Sequence, residues 1–379
     1  MSAPPPLPDP PTARALSAGL LAWYDLHGRS LPWRLRPADR ASGARPDPYA
    51  VWLSEAMAQQ TTLAAVKPYH AAFLARWPKV EDLAAAPREE VLAAWAGLGY
   101  YARARNLHAA ARKLAAEGFP RSEAAWRAIP GVGPYTAAAL AAILEEEPAV
   151  VVDGNVERVM ARLFAMEEPL PKGKPALRAL AAALTPRERP GDYAQAVMDL
   201  GATVCRPRDP ECAPCPWRDP CAGRRRGIAA QLPRKTPKAP RPERRGAVFA
   251  ALKPDGSAIL LTRRPEKGLL GGMLEIPGTD WTALPPDAGA RRAAAPLDLP
   301  WRRLGEIRQI FTHFSLILDV HAAEAADPRA LPGRGSWTPM AEAQAALPGV
   351  MRKALTLVRA AREPPPLWKA ADSSKENIS

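Results

Sequence analysis

The chain predicts an all-α domain followed by a smaller α+β domain, and three observations carry that expectation. From Thr12 to about Val204, Ala and Leu recur at helical spacing, punctuated by Pro87, Gly97, Gly99, Pro120, Pro130 and Pro148. All 4 cysteines fall in one short stretch, Cys205, Cys212, Cys215 and Cys221. After a basic, Pro-containing segment, the periodicity switches to that of short strands separated by turns.

In chain order, residues 1–11 are Pro-rich, with neither a basic leader region nor an apolar one, and read as a disordered N-terminus. No apolar run reaches membrane-spanning length, so the expected setting is a reducing cytoplasm with no membrane partner. Residues 12–204 form the helical domain, with about ten helices expected. Within it, Ile129-Pro130-Gly131-Val132-Gly133-Pro134-Tyr135-Thr136 precedes a helix running to about Glu146. Gly131 and Gly133 let the backbone turn sharply and aim N–H groups at a phosphate, although a plain helix–helix turn has the same pattern. Asp153 follows Val150-Val151-Val152 and opens another helix, where it serves either as an N-cap or as a functional carboxylate.

Residues 205–221 hold the cysteines at 6-2-5 spacing, which suits a compact loop around a [4Fe-4S] cluster. Zinc and paired disulfides are the competing readings. A zinc site usually shows two close pairs, and only Cys212 and Cys215 form one. Residues 222–246 carry nine Lys/Arg and one acid, which predicts an extended basic linker able to lie along phosphates. In residues 247–362, Ala247–Leu252, Ala258–Leu261 and Phe314–Val320 read as strands and Met340–Arg362 as helix, while 363–379 reads as a disordered tail. The formal charge of +13 favours a polyanionic partner, nucleic acid before membrane.

The glycine hairpin, the aspartate some twenty residues on and the cysteine loop together resemble the helix-hairpin-helix DNA glycosylase superfamily. Leu31-Pro32-Trp33-Arg34, Trp52 to Thr61 (WLSEAMAQQT) and Trp95 to Leu107 (WAGLGYYARARNL) closely resemble its MutY-type adenine glycosylase branch, which removes adenine mispaired with 8-oxoguanine. The likeness runs from about Leu31 to Cys221 and resumes more loosely after the basic segment. It implies duplex DNA bearing 8-oxoguanine:A or G:A mispairs as partner, and a monomeric enzyme is expected.

Adenine leaves only once a ring nitrogen is protonated, and the sugar left behind gains oxocarbenium character, so the reaction needs a proton donor and a separate negative charge. Glu55, flanked by Trp52, Leu53, Ala56 and Met57, is the expected acid if that apolar setting raises its pKa. Asp153 at a helix start is expected to keep its charge. A surface-helix glutamate and a simple cap are the bland alternatives. The resemblance assigns the same two roles and implies a transient covalent sugar intermediate on Asp153. It also sets Tyr135 where related endonuclease III enzymes hold the lysine that cleaves the strand, which implies a monofunctional glycosylase with Tyr135 and Asn155 around the reacting sugar. Gln59, Gln60 and Tyr101 match intercalating and strand-plugging positions, and Trp33, Arg34 and Gln195 match positions around the flipped adenine. Ala58 and Ala194 depart from the usual Leu and Asn.

Gly268 to Gly278 (GLLGGMLEIPG) resembles the Nudix-like domain of the same family. No Glu lies between Glu275 and Glu306, so the glutamate cluster that collects Mg²⁺ in a working Nudix hydrolase is not expected. Phe311-Thr312-His313 resembles the loop that recognises 8-oxoguanine on the opposite strand. An endonuclease III-like lyase and a catalytically silent iron–sulfur DNA-binding protein are the rival functions. Tyr135 argues against the first, and the joint presence of Glu55 and Asp153 against the second.

Overall fold

The computed structural model describes residues 5–237, 240–265, 268–325 and 335–362. The chain divides into two compact units, residues 1–237 and 238–379. The expected disordered segments lie outside the described residues at 1–4 and 363–379. At the other end of the first segment, regular structure begins at Pro10 rather than Thr12, because the Asp9 side chain accepts from the Thr12 N–H at 2.7 Å and the prolines suit the first turn.

Among the described residues, twelve helices precede the cysteine loop: α1 (Pro10–His27), α2 (Pro37–Ala41), α3 (Pro48–Ala58), α4 (Leu63–Arg76), α5 (Val80–Ala85), α6 (Arg88–Ala94), α7 (Ala102–Glu117), α8 (Glu123–Trp126), α9 (Pro134–Glu145), α10 (Gly154–Leu163), α11 (Lys174–Leu184) and α12 (Pro190–Thr203). The excess over ten comes from single-turn helices such as α2 and α8, too short to show a periodic stripe. Trp52, Trp95, Trp126 and Phe73 are almost fully buried in one core. The Ala-rich α9 is buried on all sides from Thr136 to Leu144, so small side chains let α3 and α12 approach it closely.

The segment expected as an extended linker at 222–246 is folded for most of its length. It forms α13 (Ala222–Arg225) and a 3₁₀ turn at Ala229–Gln231. Gly223 sits so close to α10 that an added Cβ would lie 2.5 Å from the Arg162 carbonyl oxygen. Leu170 and Thr236 complete the docking, the Leu170 N–H donating to Arg234 O at 2.8 Å and the Thr236 N–H to Leu170 O at 3.0 Å. Composition judged this stretch as if it stood alone, whereas Gly223 and Leu232 find tertiary partners between the arginines.

The second unit contains β1 (Glu243–Leu252), β2 (Ala258–Arg263), β3 (Leu274–Glu275), α14 (Ala288–Ala294), β4 (Arg302–Ile310), β5 (Ser315–Glu324), β6 (Ser336–Pro339), α15 (Met340–Ala346) and α16 (Gly349–Ala360). The strand order is β3-β2-β1-β5-β4, with β6 also on β2, and β1 runs parallel to β5 while the other pairs are antiparallel. The helix expected over Met340–Arg362 is broken, because Pro348 has no N–H to give and holds Leu347 extended at ψ 143°. α16 then buries Val350, Met351, Ala354, Leu355 and Val358 in the core of this unit.

Candidate active site

Glu55 owes its setting to α3. The Asp47 carboxylate caps this helix by accepting from the Tyr49 N–H at 2.9 Å, and Trp52, Leu53 and Met57 turn into the core. Glu55 as a residue is partly open, but its carboxyl is buried. Burial pushes its pKa up to about 7; the Arg34 guanidinium and a hydrogen bond with Tyr135 pull the other way, and Asp153 adds to the rise. Tyr135, in the first turn of α9, is held well above the ordinary phenol range by burial and by the charges of Glu55 and Asp153. Its hydroxyl also donates to Met198 Sδ at 3.2 Å. Glu55, Tyr135, Asp153 and Arg34 are therefore one electrostatically coupled group.

Asp153 is the N-cap of α10. Its Oδ1 accepts from the Asn155 and Val156 N–H groups at 2.9 and 2.8 Å, and its Oδ2 accepts from Asn155 Nδ2 at 2.8 Å. Asn155 is oriented in turn by Arg158, whose Nη2 donates to Asn155 Oδ1 at 2.9 Å and to Gly201 O at 2.7 Å. Arg158 Nε reaches Cys205 O at 2.8 Å. One turn on, Arg162, 2% exposed, donates to Cys205 Sγ at 3.3 Å and to Arg206 O at 2.6 Å. A continuous hydrogen-bonded chain thus links the Asp153 carboxylate to the cysteine loop along one face of α10.

Arg34 is fixed by Asp199, a carboxylate with a fully buried side chain that takes both oxygens to Arg34 Nη1 at 2.9 Å and also pairs with Arg29 Nη2 at 2.6 Å. Burial opposes the Arg34 charge, but Asp199, Tyr24 and Glu55 hold its pKa above the ordinary value. Asp199 was missed in the sequence. The available signal was an acid inside the apolar helix run Val197-Met198-Asp199-Leu200.

The positions expected to face the duplex lie at neighbouring loops. Gly131 and Gly133 lie exposed in the hairpin between α8 and α9. Gly131 has φ +77°, and a Cβ there would meet Asn106 Cβ at 2.8 Å, so this turn requires glycine on two counts. Gln59 ends α3 with its Nε2 donating to Thr136 Oγ1 at 3.3 Å; Gln60 is exposed at φ +58°, and Tyr101 starts α7, partly exposed. Arg103 staples the two loops, donating to Met57 O at 2.7 Å, Thr61 Oγ1 at 3.0 Å and Leu98 O at 3.2 Å. No role had been given to Arg103, although it stands inside the Trp95–Leu107 motif.

Trp33 and Gln195 are buried in this conformation, Trp33 packing on His70 at 4.8 Å and Gln195 donating to Gly191 O within its own helix at 3.2 Å. Ala194 lines a small cavity with Val151, Val156, Met160 and Val197. A much larger cavity of about 680 Å³, lined by Arg40, Glu146, Arg189 and Asp192, contains none of the expected site residues. It lies at the Glu146–Gly191 end of the α9–α12 pair, roughly 16 Å along α9 from Tyr135, and is a separate feature.

The four cysteines are free and line one cavity together with Arg162 and Arg218. Among the described residues, no three His, Cys, Asp or Glu side chains close on a single ion. Burial pushes the Cys215 thiol up to about 12, with Cys205, Cys221 and Cys212 adding to it. Four thiols lining a common space, with Arg162 aimed at one sulfur, are the kind of donor set that holds either an iron–sulfur cluster or a tetrahedral ion.

In the second unit, Phe311, Thr312 and His313 form the tip between β4 and β5, with Thr312 and His313 exposed. Glu275 is engaged by the Arg264 guanidinium, its pKa raised by burial against that pairing. Among the described residues, no helix is long and apolar enough to cross a membrane.

Residues 53–185 match the family described as HhH-GPD superfamily base excision DNA repair protein, and residues 247–357 match the NUDIX domain. The chain is 37% identical over 365 residues to the adenine DNA glycosylase of Homo sapiens, covering 81% of this chain and 66% of that one. It is 35% identical over 379 residues to the Mus musculus adenine DNA glycosylase, covering 83% and 73%. The Mycolicibacterium smegmatis adenine DNA glycosylase is 40% identical over 207 residues, covering 52% of this chain and 68% of its own.

Proposed function

Because the chain belongs to the adenine DNA glycosylases, glycosidic-bond hydrolases of base excision repair, we propose that it excises adenine paired with 8-oxoguanine or guanine in duplex DNA, with Glu55 as general acid and Asp153 as the charge that stabilises the sugar cation. The carrying observation is the carboxyl of Glu55, raised to about 7 beside Tyr135, Arg34 and Asp153. A carboxyl poised there is half protonated at neutral pH and delivers its proton to a ring nitrogen of the flipped base. Asp153, held by three donors at the start of α10, sets a fixed negative charge against the oxocarbenium-like sugar.

Tyr135 offers a phenol where a lyase needs an amine, which supports a monofunctional enzyme; Asn155 orients Asp153. The hairpin at Gly131 and Gly133 binds backbone phosphates, and Gln59, Gln60 and Tyr101 fill the space left by the extruded base. Trp33 and Gln195 wall the base pocket from behind, and Arg34, locked on Asp199, sets the field at Glu55. The carbohydrate step on Asp153 proceeds either through a covalent adduct or through an ion pair. Incubation with an 8-oxoguanine:A duplex, with and without alkali, tests the whole reading. Strand cleavage should follow alkali only. Cleavage without alkali would assign a lyase, and none under either condition would reject the activity.

Cys205, Cys212, Cys215 and Cys221 would hold a [4Fe-4S] cluster, which when bound contributes a rigid loop carrying Arg206 and Arg208 toward phosphates. Anaerobically purified protein should be brown and contain about four iron atoms per chain. Colourless protein with stoichiometric zinc would overturn the assignment. Cys212→Ser should weaken duplex binding more than it alters residual chemistry.

Phe311, Thr312 and His313 read the 8-oxoguanine opposite the adenine. A fragment ending at Pro237, chosen because the docking of Leu232, Arg234 and Thr236 completes the first unit, should therefore still release adenine from G:A duplexes while losing most of its preference for 8-oxoguanine:A. His313→Ala in the full chain should lose part of the same preference, about 1–3 kcal/mol for one base contact. A fragment that discriminates as well as the intact chain would remove the reading role from the second unit.

A further inference from the structure

The tip between β4 and β5 is thinly braced by its own bonds. One backbone hydrogen bond crosses it, from the Phe311 N–H to Phe314 O at 2.9 Å. Among the described residues, the side chains of Thr312 and His313 make no hydrogen bond. What orients the loop is the ring of Phe311, and that ring belongs to a column. The Arg264 guanidinium lies 4.8 Å over the Trp281 ring, Trp281 stacks on Phe311 at 5.9 Å and 26°, Phe311 packs on Phe314 at 5.0 Å, and Arg244 covers Phe314 at 4.5 Å. Each guanidinium is drawn to the negative face of the ring it covers, and the offset, tilted contacts between the rings are of the kind aromatic pairs favour.

Trp281 is the anchored member of this column. On one side of it, the Thr279 N–H donates to Ala247 O at 2.9 Å and Thr279 Oγ1 accepts from the Ala247 N–H at 3.0 Å. On the other, Arg245 and Thr282 exchange both backbone hydrogen bonds, at 2.7 and 3.1 Å. Gly246 leaves the space the indole occupies, for a Cβ there would stand 2.8 Å from Trp281 Cδ1. The indole is thus tied to the central strand β1, whereas Phe311 projects from a turn.

We infer that Trp281 is a positioning residue for opposite-strand recognition: its indole seats Phe311 and so fixes the direction in which Thr312 and His313 meet the base opposite adenine. The inference rests on the reading of that loop given above. The neighbouring Arg264 serves the seat rather than the DNA, because it is held by Glu275 and by its Nε donating to Leu269 O at 3.1 Å.

The test is single-turnover adenine release by the full-length protein, on 8-oxoguanine:A and on G:A duplexes, for wild type, Trp281→Ala, Trp281→Leu, Trp281→Phe and His313→Ala. The two non-aromatic variants should lower the ratio of the two rates about 3- to 10-fold, the scale of one aromatic pair, with the G:A rate unchanged. Trp281→Phe should restore most of the ratio, because a flat ring remains. Trp281→Leu keeps apolar volume and gives a folded comparison if alanine destabilises the unit. Should Trp281→Leu retain the wild-type ratio while His313→Ala loses it, the positioning role is wrong and the loop's reading role stands. If neither variant changes the ratio, the loop's reading role fails and the inference falls with it. Equal losses on both duplexes with a lowered melting temperature would make Trp281 merely structural, overturning the inference.

Discussion

Glu55→Gln should cut single-turnover adenine release by roughly 10²–10⁴-fold, the usual scale for a lost general acid, with duplex binding largely retained. The amide keeps size and hydrogen bonding but has no proton to transfer. The pH dependence follows from the shift. Glu55 moves from an ordinary 4.5 to about 7 because burial disfavours its charged form, so the donating species is present below about 7 and is lost as pH rises through it. The wild-type rate should therefore fall on the alkaline side of neutrality. Stability obeys the same sign: the folded state binds this proton more tightly than the unfolded chain, so stability contributed at low pH is lost as pH rises from the unfolded value to about 7. Glu55→Gln removes that loss, and its melting temperature at pH 8 should equal or exceed that of wild type. A variant that is inactive because it is unfolded would melt lower. A variant within a few fold of wild type in rate would reject Glu55 as the acid.

Much of this site was legible because short motifs carry both a residue and its local geometry. Asp153 at a helix start and Tyr135 just after the glycine hairpin are where the sequence expected them, and the structure couples both to Glu55. Less legible were the residues that act through distance in sequence. Asp199 meets Arg34 across 165 positions, and Arg158 reaches Cys205 across 47. No periodicity announces such pairs; they follow from how the loop after α1 meets α12 and how the cysteine loop meets α10, rather than from any window of sequence. The basic segment erred the other way. Its charge count was right, yet Gly223 and Leu232 gave it a packed surface that composition does not register. In the second unit, β4 escaped notice because its burial alternates weakly, with polar Arg302, Arg303, Glu306, Arg308 and Gln309 along an edge strand.

Asp153→Asn should be nearly inactive while remaining folded, and the hydrogen-bond pattern explains both outcomes. Asn caps a helix as well as Asp does, so its oxygen keeps accepting from the Asn155 and Val156 N–H groups and the start of α10 survives. The other terminus is where the network fails. An NH₂ group in place of Oδ2 faces Asn155 Nδ2, donor against donor, at a contact that is now 2.8 Å. Asn155 has no remedy in rotating its amide, because its oxygen already accepts from Arg158 and the turned NH₂ would then oppose a guanidinium. The substitution therefore removes the charge that faces the sugar cation and also disturbs the chain running to Cys205. Loss of one preorganised electrostatic contact in a water-poor site typically costs about 10²–10³-fold, and the disturbed network places the expected fall in adenine release at or beyond the upper end of that range. Melting should fall by several degrees, roughly what the 1–3 kcal/mol cost of the opposed donors produces in a domain of this size, while the protein stays folded. Single-turnover rates and melting curves on the same preparation decide it. A folded Asp153→Asn protein that releases adenine within tenfold of wild type would show that the sugar cation is stabilised by some other group.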